Sequence, residues 1–165
     1  MPRFAANLTM MFNEVPFLER FEAAAKAGFT AVEFLFPYEH PPEAVGQRLR
    51  NNGLTQALFN LPPGDWNAGE KGFAALPDRF ADLQESLRTA LPYAQATGVK
   101  RLHLMAGIAD RNDPKAVAAF RKSVAWTAEF FAPHGLDVVI EPIIRATCPA
   151  ISSTILRSRA TSSTS

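Results

Sequence analysis

The chain has 165 residues, 47% apolar and 20% charged, which excludes a disordered polymer, a collagen-like repeat and a coiled coil and suits one domain with a real core. Seventeen Lys and Arg against sixteen Asp and Glu leave a net charge of +1; with no basic stripe, neither nucleic acid nor a membrane is an expected partner. The lone cysteine, Cys148, excludes an intramolecular disulfide framework, MPRFAANLTMMF does not read as a signal peptide, and no run nears the ~18 apolar residues that span a bilayer, so a cytoplasmic chain is expected.

The segment FAANLTM at 4–10 predicts the first strand. Leu18, Phe21 and Ala25 then recur at helical spacing behind Pro16, and Gly28 introduces a second strand in FTAVEF. Pro41 and Pro42 open a short helix carrying Val45 and Leu49, followed by Gly53 and LTQALF. A helix over 78–97, with Phe80, Leu83, Leu87 and Leu91 on one stripe, leads to Gly98 and VKRLHL; a helix over 114–132 leads to Gly135 and LDVVIE. Each unit reads as a helix, a glycine in the left-handed position that ends it, and a buried strand. Pro92 lies inside the third helix, where it removes one hydrogen bond and predicts a kink at a cost of ~3 kcal/mol.

Five strands alternating with four helices imply parallel strands joined by right-handed crossovers, an α/β fold. An open doubly wound sheet and a (β/α)8 barrel compete. Length favours the open sheet, because a barrel takes eight strands and typically ~250 residues. Against it, neither G-x-G-x-x-G nor a Walker motif follows any strand. The stretch 61–77, LPPGDWNAGEKGFAALP, is too long for a plain strand–helix turn. It leaves the C-terminal end of a strand, the edge where parallel α/β proteins bind ligands.

Polar residues in or ending apolar strands are the candidates for chemistry: Glu33 in AVEFLF, Asn60 ending ALFN, His103 in RLHLM and Glu141 ending VVIE. A buried carboxylate needs a partner, a metal or an open pocket. For Glu141 the competing reading is a salt bridge to a nearby Arg or Lys, and for Glu33 an ion pair within the sheet. For His103 it is a hydrogen-bonded core residue, and for Asn60 a strand-end turn. Trp66 and Asp65 in the long loop either close over a ligand or pack the loop itself. Counted from the preceding glycine, Glu33, His103 and Asn60 fall five, five and seven residues on and share a face, whereas Glu141 falls six on. Either the last strand is offset by one residue or Glu141 points away from the others. His40, His103 and His134 have no metal-ligand spacing, and no serine lies in G-x-S-x-G.

The segments NLTMMFNEVPFLERF, AVEFLFPYEH, LFNLPPGDW, RLHLMAG and IEPI, in this order, resemble the hydroxypyruvate isomerase family and its close relatives the 2-oxo-tetronate isomerases, among the xylose-isomerase-like TIM barrels. The resemblance covers residues 1–143 and reverses the inference from length. It implies a partial (β/α)8 TIM barrel holding about the first five strands and four helices. It further implies aldose–ketose isomerisation of a small 2-oxo acid or sugar acid, such as hydroxypyruvate to tartronate semialdehyde, through an enediolate. A divalent cation, Mg2+ or Mn2+, is implied as Lewis acid. Glu141 matches the family's strand-five glutamate, which implies both an acid/base and a metal-ligand role. His103, Asn60 and Glu33 match strand-end positions lining the family's pocket, and Trp66 joins them as a substrate-binding candidate. The family's second glutamate, from strand eight, and the ligands from strands six and seven have no counterpart in this sequence.

Residues 144–165 depart from that pattern, with ten Ser/Thr, three Arg and no acid, aromatic or Gly; residues 1–143 carry a net −2 and the remainder +3. The expected division is therefore a barrel segment over 1–143 and a disordered tail over 144–165. RATCPAISSTI at 145–155 admits a codon choice that, read two nucleotides later, spells RDMPGYFLND, which fits the family. A frameshift near residue 144 is the expected origin; the nucleotide sequence of the locus tests it, and an uninterrupted parent gene with this ending refutes it. A half-barrel leaves strands one and five with unpaired edges, which predicts a homodimer or aggregation through them. With one of two carboxylates, weak or no turnover is expected. The competing functional readings are a non-catalytic α/β binding module and an inert fragment.

Overall fold

The computed structural model describes residues 4–141; the expected tail, its boundary at 143/144 and Cys148 lie outside the described residues. The strands are β1 (Ala6–Asn7), β2 (Ala31–Phe34), β3 (Thr55–Asn60), β4 (Arg101–His103) and β5 (Asp137–Val139). Between them run α1 (Arg20–Lys26), α2 (Pro42–Asn51), α3 (Phe80–Thr97) and α4 (Pro114–Phe131). The sheet order is β1-β2-β3-β4-β5 and every pair is parallel. That order decides between the two architectures. A doubly wound sheet reverses its strand order at a switch point and carries helices on both faces. Strictly sequential right-handed crossovers place every helix on one face, which makes the sheet an arc of a TIM barrel.

The helix side is the core. Val32, Phe34, Phe59 and Leu102 from the strands, and Leu104 just past β4, are buried in one cluster with Phe21, Val45, Leu49, Leu83, Leu87 and Phe131 from the helices. Each fully buried phenylalanine contributes about 1.5–3 kcal/mol through removal of its ring from water. The helices follow the predicted stripes, and α3 continues through Pro92 to end at Gly98, whose φ of 69° no branched residue tolerates without strain. The first strand is shorter than expected. Instead of running over 4–10 it stops at Asn7, because the Asn7 carbonyl accepts from Met10 N (3.1 Å) and Met11 N (2.8 Å). The Asn7 side chain also accepts from Thr9 N at 3.0 Å, an Asx turn that competes with continued strand. Among the described residues no helix is long and apolar enough to cross a membrane.

The long segment 61–77 is strapped to the end of β4. Ala74 N donates to Met105 O (3.4 Å), Ala75 N to Ala106 O (2.6 Å) and Gly107 N to Lys71 O (3.0 Å), while Gly72 N donates to Pro63 O (2.8 Å) within the segment. The Glu70 carboxylate organises the loop from within, accepting from Asp65 N and from Arg79 Nη1, each at 2.6 Å. The Arg79 guanidinium first, and the Asp65 amide second, hold the Glu70 carboxyl below its ordinary value. A Cβ at Gly72 would collide with the Met105 carbonyl, and its φ of +100° already disfavours any side chain. Gly72→Ala is expected to lose about 1–3 kcal/mol and loosen the loop. Gly28→Ala, whose added carbon meets nothing, is expected to lose only about 1–2 kcal/mol from its positive φ. Urea unfolding of both variants, with limited proteolysis of the loop, checks the contrast.

Candidate active site

Register builds the site. Asn7 pairs with Glu33 across β1 and β2, Asn60 with His103 across β3 and β4, and His103 with Val139 across β4 and β5. Between β2 and β3 the register slips: Ala31 pairs with Thr55, yet Glu33 pairs with Leu58. The extra residue is a bulge in β3. Without it, Asn60 would face the helices; with it, Asn60 lies on the face of Glu33, opposite the core. No such slip occurs in β5, where Arg101, Leu102 and His103 pair in turn with Asp137, Val138 and Val139. His103 is the fifth residue after its glycine and Val139 the fourth. The last strand is therefore offset by one, and Glu141, two residues past Val139, lies on the face of His103. Its charge reaches the imidazole.

His103 and Asn60 are 7% and 6% exposed, so their polar atoms must be satisfied within the protein. His103 Nδ1 lies 3.0 Å from Asn60 Oδ1, and Asn60 Nδ2 donates to Met105 Sδ at 3.8 Å. A flipped amide would set its oxygen against the thioether, so the oxygen faces the ring and Nδ1 carries the hydrogen. Nε2 is left as the acceptor. Burial pushes the His103 pKa below its ordinary 6.5, with the Glu141 carboxylate opposing that shift. The end of β3 is held by Tyr38, whose hydroxyl donates to Asn60 O at 2.7 Å and whose pKa burial raises well above 10.

Glu33 accepts from Asn7 Nδ2 at 3.0 Å. Its partner is a neutral amide, and no ion pair to it occurs among the described residues. Asn7, which the sequence reading did not single out, shares this face with Glu33 and ends its strand as Asn60 does. Trp66 is 41% exposed and packs on Phe36 with ring centroids 5.0 Å apart. Lys71 Nζ sits 3.1 Å from the Trp66 ring centroid. Asp65 turns inward on its own loop, accepting from Asn67 N and Ala68 N at 3.0 Å each. Asn7 and Glu33, Asn60 and His103, and Glu141 thus line one face, with Trp66 beyond the end of β2 and Asp65 excluded. Among the described residues no group of three or more His, Cys, Asp or Glu is placed to hold a metal.

A polar face at the C-terminal edge of sequentially ordered strands is where TIM barrels place their chemistry. Residues 21–154 match the xylose isomerase-like TIM barrel family. The chain belongs to that family. The 2-oxo-tetronate isomerase of Cupriavidus necator is 54% identical over 145 residues, covering 87% of this chain and 56% of that protein. The 2-oxo-tetronate isomerase of Pectobacterium atrosepticum is 46% identical, covering 87% and 55%. The hydroxypyruvate isomerase of Escherichia coli is 39% identical, covering 87% and 56%. The crystal structure of an AP endonuclease, family 2, from Brucella melitensis superposes with a TM-score of 0.88 at 48% identity, over 92% of this chain and 59% of that one. The chain spans about half the length of the curated relatives it matches.

In this xylose isomerase-like segment the neutral imidazole has a stability signature. The folded pKa of His103 is depressed, so the unfolded chain takes up a proton that the folded chain refuses. That contribution is fully present above pH 6.5 and is lost as pH falls through the folded value. Urea melts between pH 7.5 and 5.5 are expected to fall more steeply for the wild type than for His103→Asn, by at most about 1.4 kcal/mol per pH unit.

Proposed function

We propose that this chain supplies the first five strands of an isomerase site that moves a carbonyl between neighbouring carbons of a small 2-oxo acid, hydroxypyruvate or a 2-oxo-tetronate. The supporting observation is the buried Asn60–His103 pair on the face of Glu141, in a chain 54% identical to a protein named 2-oxo-tetronate isomerase.

On hydroxypyruvate, Glu141 takes a proton from C3, the C3–H electron pair forms the C2–C3 double bond, and the C2 carbonyl oxygen takes the negative charge of an enediolate. His103, neutral with a lone pair on Nε2, accepts the C3 hydroxyl proton and hands it to the C2 oxygen. A proton then added at C2 leaves the aldehyde at C3, which is tartronate semialdehyde. Return of that proton falls to a second acid on the opposite side of the substrate from Glu141. Asn60 fixes the tautomer and tilt of the imidazole. Glu33, held by a neutral amide rather than a cation, keeps its acceptor strength for substrate hydroxyls. A metal-ligand role for Glu141 needs further ligands from outside the described residues. The net charge of +1 without a basic stripe gives no support to a nucleic-acid substrate.

Exchange of the C3 hydrogens with solvent needs only one base, so it reads Glu141 without a full turnover. In D2O the chain is expected to speed loss of the C3 proton signal of hydroxypyruvate, followed by NMR. Glu141→Gln is expected to lower that rate by about 100-fold or more and His103→Asn by about 10-fold. Binding of hydroxypyruvate without accelerated exchange, or exchange indifferent to Glu141→Gln, overturns the proposal.

A further inference from the structure

We propose that Lys71, its ammonium held over the Trp66 ring, selects substrates that carry a carboxylate. This rests on the 2-oxo acid reading above and adds the group that recognises the acid.

Position comes first. The Lys71 carbonyl accepts from Gly107 N at 3.0 Å, which ties it to the extension of β4. The ring beneath its ammonium packs on Phe36, two residues past the end of β2. The strand between those two is β3, whose last residue is Asn60. Lys71 therefore stands at the C-terminal edge near β3, whose last residue Asn60 pairs with His103 of β4.

Charge comes second. Two carboxylates, Glu33 and Glu141, lie on the site face. An anionic substrate entering there meets repulsion unless a cation offsets it. Arg20 is committed to backbone, donating Nε to Val15 O (3.1 Å) and Nη1 to Leu8 O (2.8 Å). Arg79 is committed to Glu70 and Asp82. Arg111, in the loop after β4, is exposed, and no ion pair among the described residues fixes it. Lys71 is held in place without a neutralising carboxylate among the described residues and, unlike Arg20, is not tied to backbone carbonyls. A ring face positions an ammonium through its quadrupole but brings no negative charge, and it leaves N–H donors available. Trp66 and Lys71 thus present a fixed, half-buried positive charge to the rim of an otherwise acidic face.

The test compares hydroxypyruvate with dihydroxyacetone, which keeps the hydroxyketone and lacks the carboxylate. Titrations follow Trp66 fluorescence in a Trp126→Phe background, since the chain has two tryptophans, and ligand NMR signals in the wild type. The wild type is expected to bind the acid about 10- to 100-fold more tightly than the ketone. Lys71→Gln is expected to erase that preference while leaving ketone affinity and the melting temperature unchanged. Lys71→Arg is expected to restore it, and Arg111→Gln to leave it intact. If Lys71→Gln keeps the wild-type preference, the assignment of Lys71 is overturned while the 2-oxo acid reading stands. If the wild type itself shows no preference for the acid, both fall together.

Discussion

One extra residue in β3, which slips its register against β2, puts the buried hydrogen bond between His103 and Asn60 on the same face as Glu33. In a parallel sheet a slip of one residue exchanges the two faces. The bulge opposite Val32 and Glu33 moves Asn60 from the helix side to the open side. From there the pairing of Asn60 with His103, and of His103 with Val139, carries the same face across to Glu141. The alignment of Glu33, Asn60, His103 and Glu141 on one face depends on that chain of registers.

The two faces divide the physical labour. On the helix side, apolar side chains from all four crossovers supply the burial that holds the sheet. On the other side, polar groups are tolerated because each has a partner of suitable chemistry: an amide for Glu33, an amide oxygen for the imidazole N–H, a thioether for the amide N–H. Desolvation keeps the imidazole neutral and so keeps its second nitrogen basic. The long loop adds a positive charge to this acidic surface, and its backbone is fastened to the extension of β4 by glycines that allow close approach.

Much of the architecture was legible in the residues. Helix stripes such as Leu83 and Leu87, and the helix-ending glycines Gly98 and Gly135, are local signals, and the structure places them where the pattern predicts. Glu33, Asn60, His103 and Glu141 were also visible, because a polar residue at the end of an apolar strand is conspicuous. Asn7 carried the same signal more faintly, in a strand cut short by its own side-chain turn. The face of Glu141 was not legible: parity counted from a glycine assumes that each turn consumes the same number of residues, and the turn after Gly135 uses one fewer.

The sequence by itself determined that helices and strands alternate, where each helix stops, and which polar residues sit at strand ends. These follow from backbone sterics and from side-chain periodicity within a dozen residues. Only the tertiary structure decided between an open sheet and a barrel arc, since strand order is a relation among segments far apart in the chain. Only it joined Asn60 to His103, Asn7 to Glu33 and Lys71 to Trp66, because these contacts depend on a bulge, a register offset and a folded-back loop. Such features arise from the packing of neighbours and leave no mark in local spacing.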